Sequence, residues 1–514
     1  MSQQVGTDVK AAFGVAVALA VIASAIDSGP LGWIVAPVVL VLLWYAMAKA
    51  PLRLSLFVLM FCGLTLENPS EQPAVGMWKS PLWGVASLMM MHLKNTIGGG
   101  LPFSGMDVMF LSLGIVVLSR RSSGSKLDSA GSYRTPKPLL QLAYLSLAGT
   151  AFVWISGLVR GGDNSFAMWQ IDRVVYLPIV FLLFSAGLRG PADFVPMARI
   201  ALAAATLRAC QALYVRATIV VPPDPMTGES GLPYATSHND SMLFAFATVM
   251  LTVMVYQRLR GAGIRAVLLF PILCAGMLAN TRRMVWVQIL CALLVLYFLT
   301  EKNAFKRKLQ RALVLVSPVV LLYVALGWSS NSKIFKPVKT IRSAIDSKAD
   351  TSTQWRDIEN FDLIYTIHQN PIFGTGYGHG FDEKVMLPPV DYSLEHYVPH
   401  NSILGLWTYG GWIGFSAMTA LWVGGIYFAM RAYHASKVST HRAAALVSVG
   451  GILIYYVQCY GDMGLGSWTG VFIVAPSLAA IGKLAVPSGA WSQGSAAPQV
   501  AMNDPGRSRS NPNT

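Results

Sequence analysis

Charged residues are scarce in this chain. Lys, Arg, Asp and Glu make up 12% of its 514 residues, whereas a soluble globular domain carries about 25%. Hydrophobic residues account for 54%, and the mean hydropathy is +0.51. This composition, with its repeated long apolar runs, excludes an ordinary soluble domain and predicts a polytopic membrane protein.

Metal-binding motifs are also missing. The chain has five cysteines, none of them in a C-x-x-C pair, and no spacing typical of zinc or iron–sulfur ligands. All five lie in or beside apolar runs, and we interpret them as small buried hydrophobes. The sequence therefore predicts no zinc or iron–sulfur site. The five are Cys62, Cys210, Cys274, Cys291 and Cys459.

Hydropathy predicts an all-α protein with about 14 transmembrane helices, each needing roughly 20 apolar residues. No cleavable signal peptide is evident, because a second apolar run follows the first almost at once and the pair reads as a helical hairpin. The predicted spans centre near 11–27, 31–48, 52–66, 103–119, 138–158, 174–188, 196–221, 240–257, 264–279, 284–300, 311–328, 402–430, 443–459 and 467–484.

The net charge of +15 is explained by topology rather than by nucleic acid. Basic residues concentrate in the segments 119–137, 257–265, 301–311 and 431–442. With a cytoplasmic N-terminus, all of these segments fall on the cytoplasmic side, where positive charge is favoured. Residues 1–486 are then predicted to form a single membrane domain, followed by a disordered cytoplasmic tail over 487–514 that is rich in Ser, Gly, Pro and Asn.

The opposite side carries long loops, and the longest, over 329–400, lies between the eleventh and twelfth predicted spans. Loops of this length between spans are usually functional. Chemically useful residues gather near this side. In ANTRRMVWVQ (279–288), Arg282 and Arg283 lie where one span ends and the next begins. They can be interpreted as snorkelling charges or as a clamp for diphosphate, which guanidinium groups bind in a bidentate manner.

The second arginine element is QWRDIENFDLIY (354–365), in which Arg356 opens a predicted amphipathic helix that Asn370-Pro371 ends. An alternating glycine run, GTGYGHG (374–380), follows. We interpret this run as a connection that lets the backbone pack closely, with an anion-binding nest of backbone N–H groups as the alternative.

His400 and Asn401 stand at the start of the next span. A lone histidine is more often structural, but an imidazole at a positive helix end, beside arginines, is suited to act as a proton acceptor. Asn401 is expected to cap the helix or to orient a sugar hydroxyl. His238, Asn239 and Asp240 begin another span. We expect Asn239 or Asp240 to cap its helix, with contact to the donor or acceptor substrate as the alternative.

These motifs carry a family resemblance. NPIFGTGYGHGF followed by HNSILGLWTYGGWIG resembles the signature of the O-antigen ligase and polysaccharide polymerase superfamily of bacteria. TRRMVWVQ and QWRDIENFDLIY resemble its two arginine elements. The resemblance covers about 222–414, and the remaining chain adds only a compatible pattern of spans.

The resemblance implies a multi-pass glycosyltransferase of the bacterial inner membrane. Its donor would be a glycan linked through diphosphate to undecaprenyl, and its acceptor a glycan or lipid-linked glycan at the periplasmic face. His400 would match the catalytic histidine, Arg282 or Arg283 the first phosphate-binding arginine, with Arg282 favoured, and Arg356 the second. No nucleotide sugar, metal or nucleic acid is implied, and both termini would be cytoplasmic.

Two other classes remain as alternatives. A transporter or flippase of lipid-linked glycans would show broken helices, buried ion pairs and inverted repeats. A scaffold protein would tolerate loss of the arginines. Within the enzyme class, polymerase and ligase both stay open, as does whether a flippase and a chain-length regulator act as partners.

Overall fold

The computed structural model describes most of the predicted membrane domain. Nothing is described for the first predicted span, at 11–27, and only isolated positions for the second, at 31–48. The described residues are 49–66, 83–91, 104–123, 132–219, 234–302, 304–330, 332–335, 351–388 and 396–492, with isolated positions at 38, 41, 42, 44–46, 338, 342 and 394.

Helices make up all the long regular elements in these ranges, which confirms the predicted all-α class. In chain order they are α1 (Leu52–Thr65), α2 (Trp83–Met90), α3 (Gly105–Ser122), α4 (Lys137–Val159), α5 (Asn164–Gly187), α6 (Phe194–Thr218), α7 (Asp240–Tyr256), α8 (Ala262–Asn280), α9 (Met284–Leu299), α10 (Ala304–Gly327), α11 (Thr351–Gln369), α12 (Ser402–Ala435), α13 (Ser439–Gly461) and α14 (Trp468–Leu484).

Each predicted span from 52–66 onwards overlaps one of these helices. By length and composition, 5 of the described helices can cross a membrane, or up to 6 if the two halves of α5, which meet at a bend of 42°, count as one span. Helices α1, α7, α9 and α14 are apolar but shorter. These findings support an integral membrane protein, and the total of about fourteen spans stays a prediction.

Contacts between helix ends bring the basic segments to one face of the bundle, here called the basic face. Arg442, at the start of α13, pairs with Glu301 after α9 at 2.8 Å, and the hydroxyl of Tyr256 at the end of α7 donates to the Glu301 carbonyl. Lys483 at the end of α14 donates to the carbonyl of Tyr133 before α4 at 2.7 Å. The structure therefore groups these segments as the charge pattern predicted, while the compartment they face stays a prediction.

Helix α12 breaks near its start, at Gly411, where φ is 56° and ψ is −166°. A break leaves backbone groups without helical partners, which is costly in an apolar environment. The glycine-rich segment after α11 supplies the partners. The N–H of Gly376 donates to the Tyr409 carbonyl at 2.9 Å, and the N–H of Trp412 donates to the Pro371 carbonyl at 2.8 Å.

The glycine run also packs against the end of α4. A Cβ atom on Gly376 would lie 2.3 Å from the Cα of Gly157, and one on Gly374 would lie 2.3 Å from the carbonyl oxygen of Tyr409. Side chains cannot fit at such distances. Close backbone packing, the interpretation preferred from the sequence, is thereby confirmed.

Helix α11, predicted to open near Arg356 and to end at Asn370-Pro371, is present as Thr351–Gln369. Its buried face carries both polar and apolar side chains. Asp362 accepts the N–H groups of Lys384 and Val385 at 2.9 and 3.0 Å, while the apolar Phe361 and Ile364 are exposed. Glu359, Asp362 and Thr366 face inward, beside Trp355 and Leu363, which form an apolar cluster with Phe381 and Leu387. Helix α11 therefore binds the following segments through both hydrogen bonds and apolar contacts.

The glycine run permits a matched test of packing. Gly376 and Gly161 have nearly the same φ, 87° and 89°, and alanine at either should cost about 1–2 kcal/mol for a left-handed backbone. Only at Gly376 does the new methyl overlap backbone, because nothing lies within 4 Å at Gly161. We expect Gly376→Ala to lower the thermal unfolding midpoint of the detergent-purified protein at least twice as much as Gly161→Ala. Equal decreases would contradict the packing.

Candidate functional site

Several helix ends meet on the face opposite the basic face. His400 precedes α12, Asp462 follows α13, Arg282 lies between α8 and α9, and Arg356 lies in the first turns of α11. His238, just before α7, belongs to the same group, because its charge acts on the Asp462 carboxyl. Together these residues form a cluster centred on Asp462.

The Asp462 carboxylate bridges the two arginines. Arg282 approaches one of its oxygens at 2.9 Å, and Arg356 approaches the other at 3.6 Å. The guanidinium of Arg282 also lies over the ring of Tyr234, 4.9 Å from its centroid. Arginines from two distant parts of the chain therefore converge on one anionic group.

The backbone around Asp462 fixes its position. Met463 adopts a left-handed conformation with φ of 42°, and its N–H donates to the carbonyl of His400 at 2.7 Å. Gln458 donates to the Asp462 carbonyl at 3.2 Å. The arginine side is held similarly, since Thr281, directly before Arg282, has φ of 55°. Non-glycine residues in this region are uncommon and concentrate at functional sites.

Asparagine 280 positions the segment that carries His238. Its side chain accepts the N–H groups of Ala235 and Thr236 at 2.9 and 3.2 Å and donates to the Ser237 carbonyl at 2.9 Å. The amide thereby ties the start of α7 to the end of α8, next to Arg282.

Electrostatics favour an ionised Asp462. Burial alone would raise the pKa of this carboxyl, but the positive charges of His238, Arg282, Arg356 and His400 outweigh burial and hold the pKa below its ordinary value. The cluster is thus built to stabilise a negative charge at its centre.

His400 is held by α11. Its backbone N–H donates to both oxygens of Glu359, at 3.0 and 3.1 Å, and its ring Nδ1 lies 3.3 Å from Glu359 Oε1. The Trp355 ring packs edge-on against the imidazole, with centroids 4.8 Å apart. The His400 side chain remains 27% exposed, whereas that of Glu359 is 1% exposed. The imidazole is therefore anchored from one side and open on another.

Three other predicted site residues, Asn401, Asn239 and Arg283, lie beside the cluster, and Asn401 takes a role expected of it. Asn401 caps α12 by accepting the N–H of Leu404 at 3.1 Å and also donates to Asn360 at 2.9 Å. Asn239 is buried at the start of α7, but its side chain makes no capping hydrogen bond, so the cap predicted there is absent. Arg283 is exposed on the last position before α9, whereas Arg282 contacts Asp462.

Asp240, the other predicted cap, forms an internal ion pair instead. Its oxygens bind Arg208 of α6 at 2.6 and 3.1 Å, and both side chains are buried. The hydroxyl of Thr236 donates to the same carboxylate at 2.5 Å. This pair joins α6 to α7 beneath the cluster.

Sequence reasoning missed Asp462 and Glu359. Asp462 had a detectable signal, an acidic residue immediately after the apolar run at 443–459 and on the side predicted to carry the arginines. Glu359 had none, because a glutamate on a helix outside the membrane is usually solvated.

Chemically, the cluster holds groups that suit anion binding and proton transfer. Two guanidinium groups suit phosphate oxygens, and a partly exposed imidazole can accept a proton. Among the described residues, no group of three or more His, Cys, Asp or Glu could hold a metal ion.

The apolar helical bundle defines the class, an integral membrane protein, and the cluster lies at one end of that bundle. A family model described as O-antigen ligase matches residues 267–419. That segment contains Arg282, Arg356 and His400, and the match supports membership of the O-antigen ligase superfamily, as the motifs predicted. No curated protein matches the chain significantly.

The charge at Asp462 predicts a pH-dependent stability. A carboxyl whose pKa is lowered by folding from its ordinary 3.8 stabilises the fold above that value, and the contribution is lost as the pH falls through the lower, folded value. We expect Asp462→Asn to lower the thermal midpoint at pH 7 and to flatten its decline as the pH falls below about 4.

The matched control is Asp357→Asn, which changes an exposed carboxylate next to Arg356 and should leave the midpoint within about 1 °C at pH 7, because exposed charges contribute little. If Asp462→Asn had the same thermal midpoint as wild type at every pH, the result would contradict the role assigned to the carboxylate.

Proposed function

We propose that the protein is a membrane glycosyltransferase. It transfers a glycan from undecaprenyl diphosphate to a sugar hydroxyl at the periplasmic face of the bacterial inner membrane, as a polysaccharide polymerase or an O-antigen ligase. The observation that carries the proposal is the convergence of Arg282, Arg356 and His400 around one anionic position. The family match over 267–419 supports the same class.

The diphosphate of the donor would take the anionic position that Asp462 holds. As the bond between the anomeric carbon and the phosphate oxygen breaks, negative charge accumulates on the diphosphate. Arg282 and Arg356 stabilise that charge, and they do so more strongly near lipid than in water because the effective dielectric constant is lower. Asp462 keeps the two guanidinium groups together before substrate binds.

His400 removes the proton from the acceptor hydroxyl. The acceptor oxygen forms the new bond to the anomeric carbon, the bonding electrons of the old bond leave with undecaprenyl diphosphate, and the proton passes to the imidazole. A base on one side and a leaving group on the other favour a single displacement with inversion at the anomeric carbon. No step requires a metal or another cofactor.

The proposal extends to the predicted organisation. Residues 1–486 form one membrane domain, the segment 329–400 contributes Arg356, Glu359 and His400 to the site, and both termini are cytoplasmic. Only 487–492 of the predicted tail are described, and there Trp491 packs against Phe428, with ring centroids 5.4 Å apart. Membrane lipid surrounds the bundle, and a flippase and a chain-length regulator stay open as partners.

A transporter or flippase is the second candidate, since α12 is broken at Gly411 and α5 is bent. Broken helices in transporters use their freed backbone groups to bind substrate. In α12, however, the carbonyl of Tyr409 and the N–H of Trp412 are occupied by Gly376 and Pro371. The break therefore anchors the glycine-rich segment, and the enzyme is the better-supported function.

The role of His400 predicts what accumulates when transfer stops. In cells whose only copy carries His400→Ala, we expect surface polysaccharide to fall by at least about 100-fold, the scale of general-base catalysis, with normal insertion and protein level. Mass spectrometry of the undecaprenyl-linked pool measures the outcome. Accumulated single repeat units would identify a polymerase, and accumulated long chains a ligase.

An unchanged lipid-linked pool with normal surface polysaccharide would contradict the catalytic role. His379→Ala is a suitable control, because this histidine binds the Gly157 carbonyl at 3.1 Å and not the cluster.

The two adjacent arginines should differ in effect. Arg282 contacts Asp462 at 2.9 Å, whereas Arg283 is exposed, so Arg282→Gln should reduce transfer by about 10- to 100-fold, equivalent to roughly 1.4–2.8 kcal/mol of lost transition-state stabilisation. Arg283→Gln should stay within about threefold. Initial rates of transfer from a purified lipid-linked donor distinguish them, and the reverse order would move the phosphate contact to Arg283.

A further inference from the structure

We infer that Glu359 is a positioning residue for the proposed transfer, holding the imidazole of His400 in the tautomer that can accept a proton. This inference rests on the proposed function. The observation behind it is that the Glu359 carboxylate, on the inner side of α11, contacts both the backbone N–H and the ring Nδ1 of His400.

The hydrogen bonds define the direction of each donor. A carboxylate offers only acceptors, and the backbone N–H of His400 offers only a donor. With the carboxylate fixed by that N–H at 3.0 and 3.1 Å, the remaining contact, from Nδ1 to Oε1 at 3.3 Å, requires a proton on Nδ1. The other ring nitrogen, Nε2, then carries a lone pair and can accept the proton of the acceptor hydroxyl.

The same carboxylate stabilises the product of that step. When Nε2 takes the proton, the ring becomes positively charged, and Glu359 lies against it. The side chain of Glu359 is 1% exposed, so little water screens the interaction. The ring cannot rotate freely because Trp355 packs edge-on against it.

A purely structural role would not need a carboxylate. Burying a carboxylate is costly, and glutamine has the same shape and an oxygen for the backbone N–H. Glutamine, however, carries no negative charge, and where its NH₂ group takes the Oε1 position it donates to Nδ1 and the ring proton lies on Nε2. Glutamine is therefore the substitution that preserves shape, removes the charge and no longer requires the proton on Nδ1.

The test compares Glu359→Gln with Glu359→Asp. We expect Glu359→Gln to lower kcat by about 100-fold with the donor KM within about twofold, because the arginine contacts remain. Glu359→Asp keeps the charge and should retain at least tenfold more activity than Glu359→Gln. A structural role predicts the opposite order, because glutamine is isosteric with glutamate and aspartate is shorter.

The pH–rate profile gives an independent readout. Removing the carboxylate removes an anion that favours the protonated imidazole, so the acidic limb in Glu359→Gln should move to lower pH than in wild type. The other charged groups of the cluster stay the same in both proteins, so the shift reports Glu359. They are Arg356 on α11, Asp462 after α13, Arg282 between α8 and α9, and His238 before α7.

The matched control is Glu383→Gln. Glu383 also contacts a histidine, His396, at 3.2 Å, in the same part of the chain but outside the cluster. It should leave kcat and the pH profile unchanged. If Glu359→Gln does not fold, nitrogen-15 spectra of histidine-labelled wild type decide the question, with the His400 signal identified by its loss in His400→Ala. A proton on Nδ1 supports the inference, and a proton on Nε2 overturns it.

The outcomes separate the two proposals. If His400→Ala remains fully active, the proposed function fails. If His400→Ala is inactive while Glu359→Gln has wild-type kcat and an unshifted profile, only the role of Glu359 fails.

Discussion

The ion pairs that Asp462 makes with Arg282 and Arg356 are the interaction on which the site depends. The arginines come from segments that are far apart in the chain, and without a central anion they would repel each other. The pKa of the Asp462 carboxyl is lowered for the same reason, because the attraction of the surrounding cations outweighs the cost of burial. This arrangement supports the proposed binding of a diphosphate, since the positive charges already point to one place.

The rest of the fold keeps these groups in register. Hydrogen bonds hold each helix end in place. Met463 fixes the end of α13, Asn401 caps the start of α12, and Asn280 fixes the junction of α8 and α9. The external segment reaches the site because its glycine run completes the backbone of the broken α12. Helix α11 then presents Arg356 towards Asp462 and Glu359 towards His400, so one short helix contributes to both of the proposed roles, anion binding and proton transfer.

Periodicity and charge predicted the helical class, α11 and the grouping of basic segments, because those features are local or follow from the membrane. The motif around His400 and the two arginine elements could be recognised because each is a short continuous run of residues and the three follow one another in a fixed order. Asp462 and Glu359 could not be assigned in the same way, since their roles arise from contacts across helices. The prediction of a cap at the start of α7 was wrong. The Asp240 carboxylate pairs with Arg208 instead, and no local pattern reveals that ion pair.

The most direct measurement uses purified protein in detergent with an undecaprenyl-diphosphate-linked glycan and an acceptor glycan. Detergent removes the two compartments, so transport alone cannot change the reactants. We expect one undecaprenyl diphosphate to be released for each new glycosidic bond in wild type, and neither product with His400→Ala. A donor that stays covalently unchanged in the presence of active, folded protein would contradict the proposed transfer and favour the transporter.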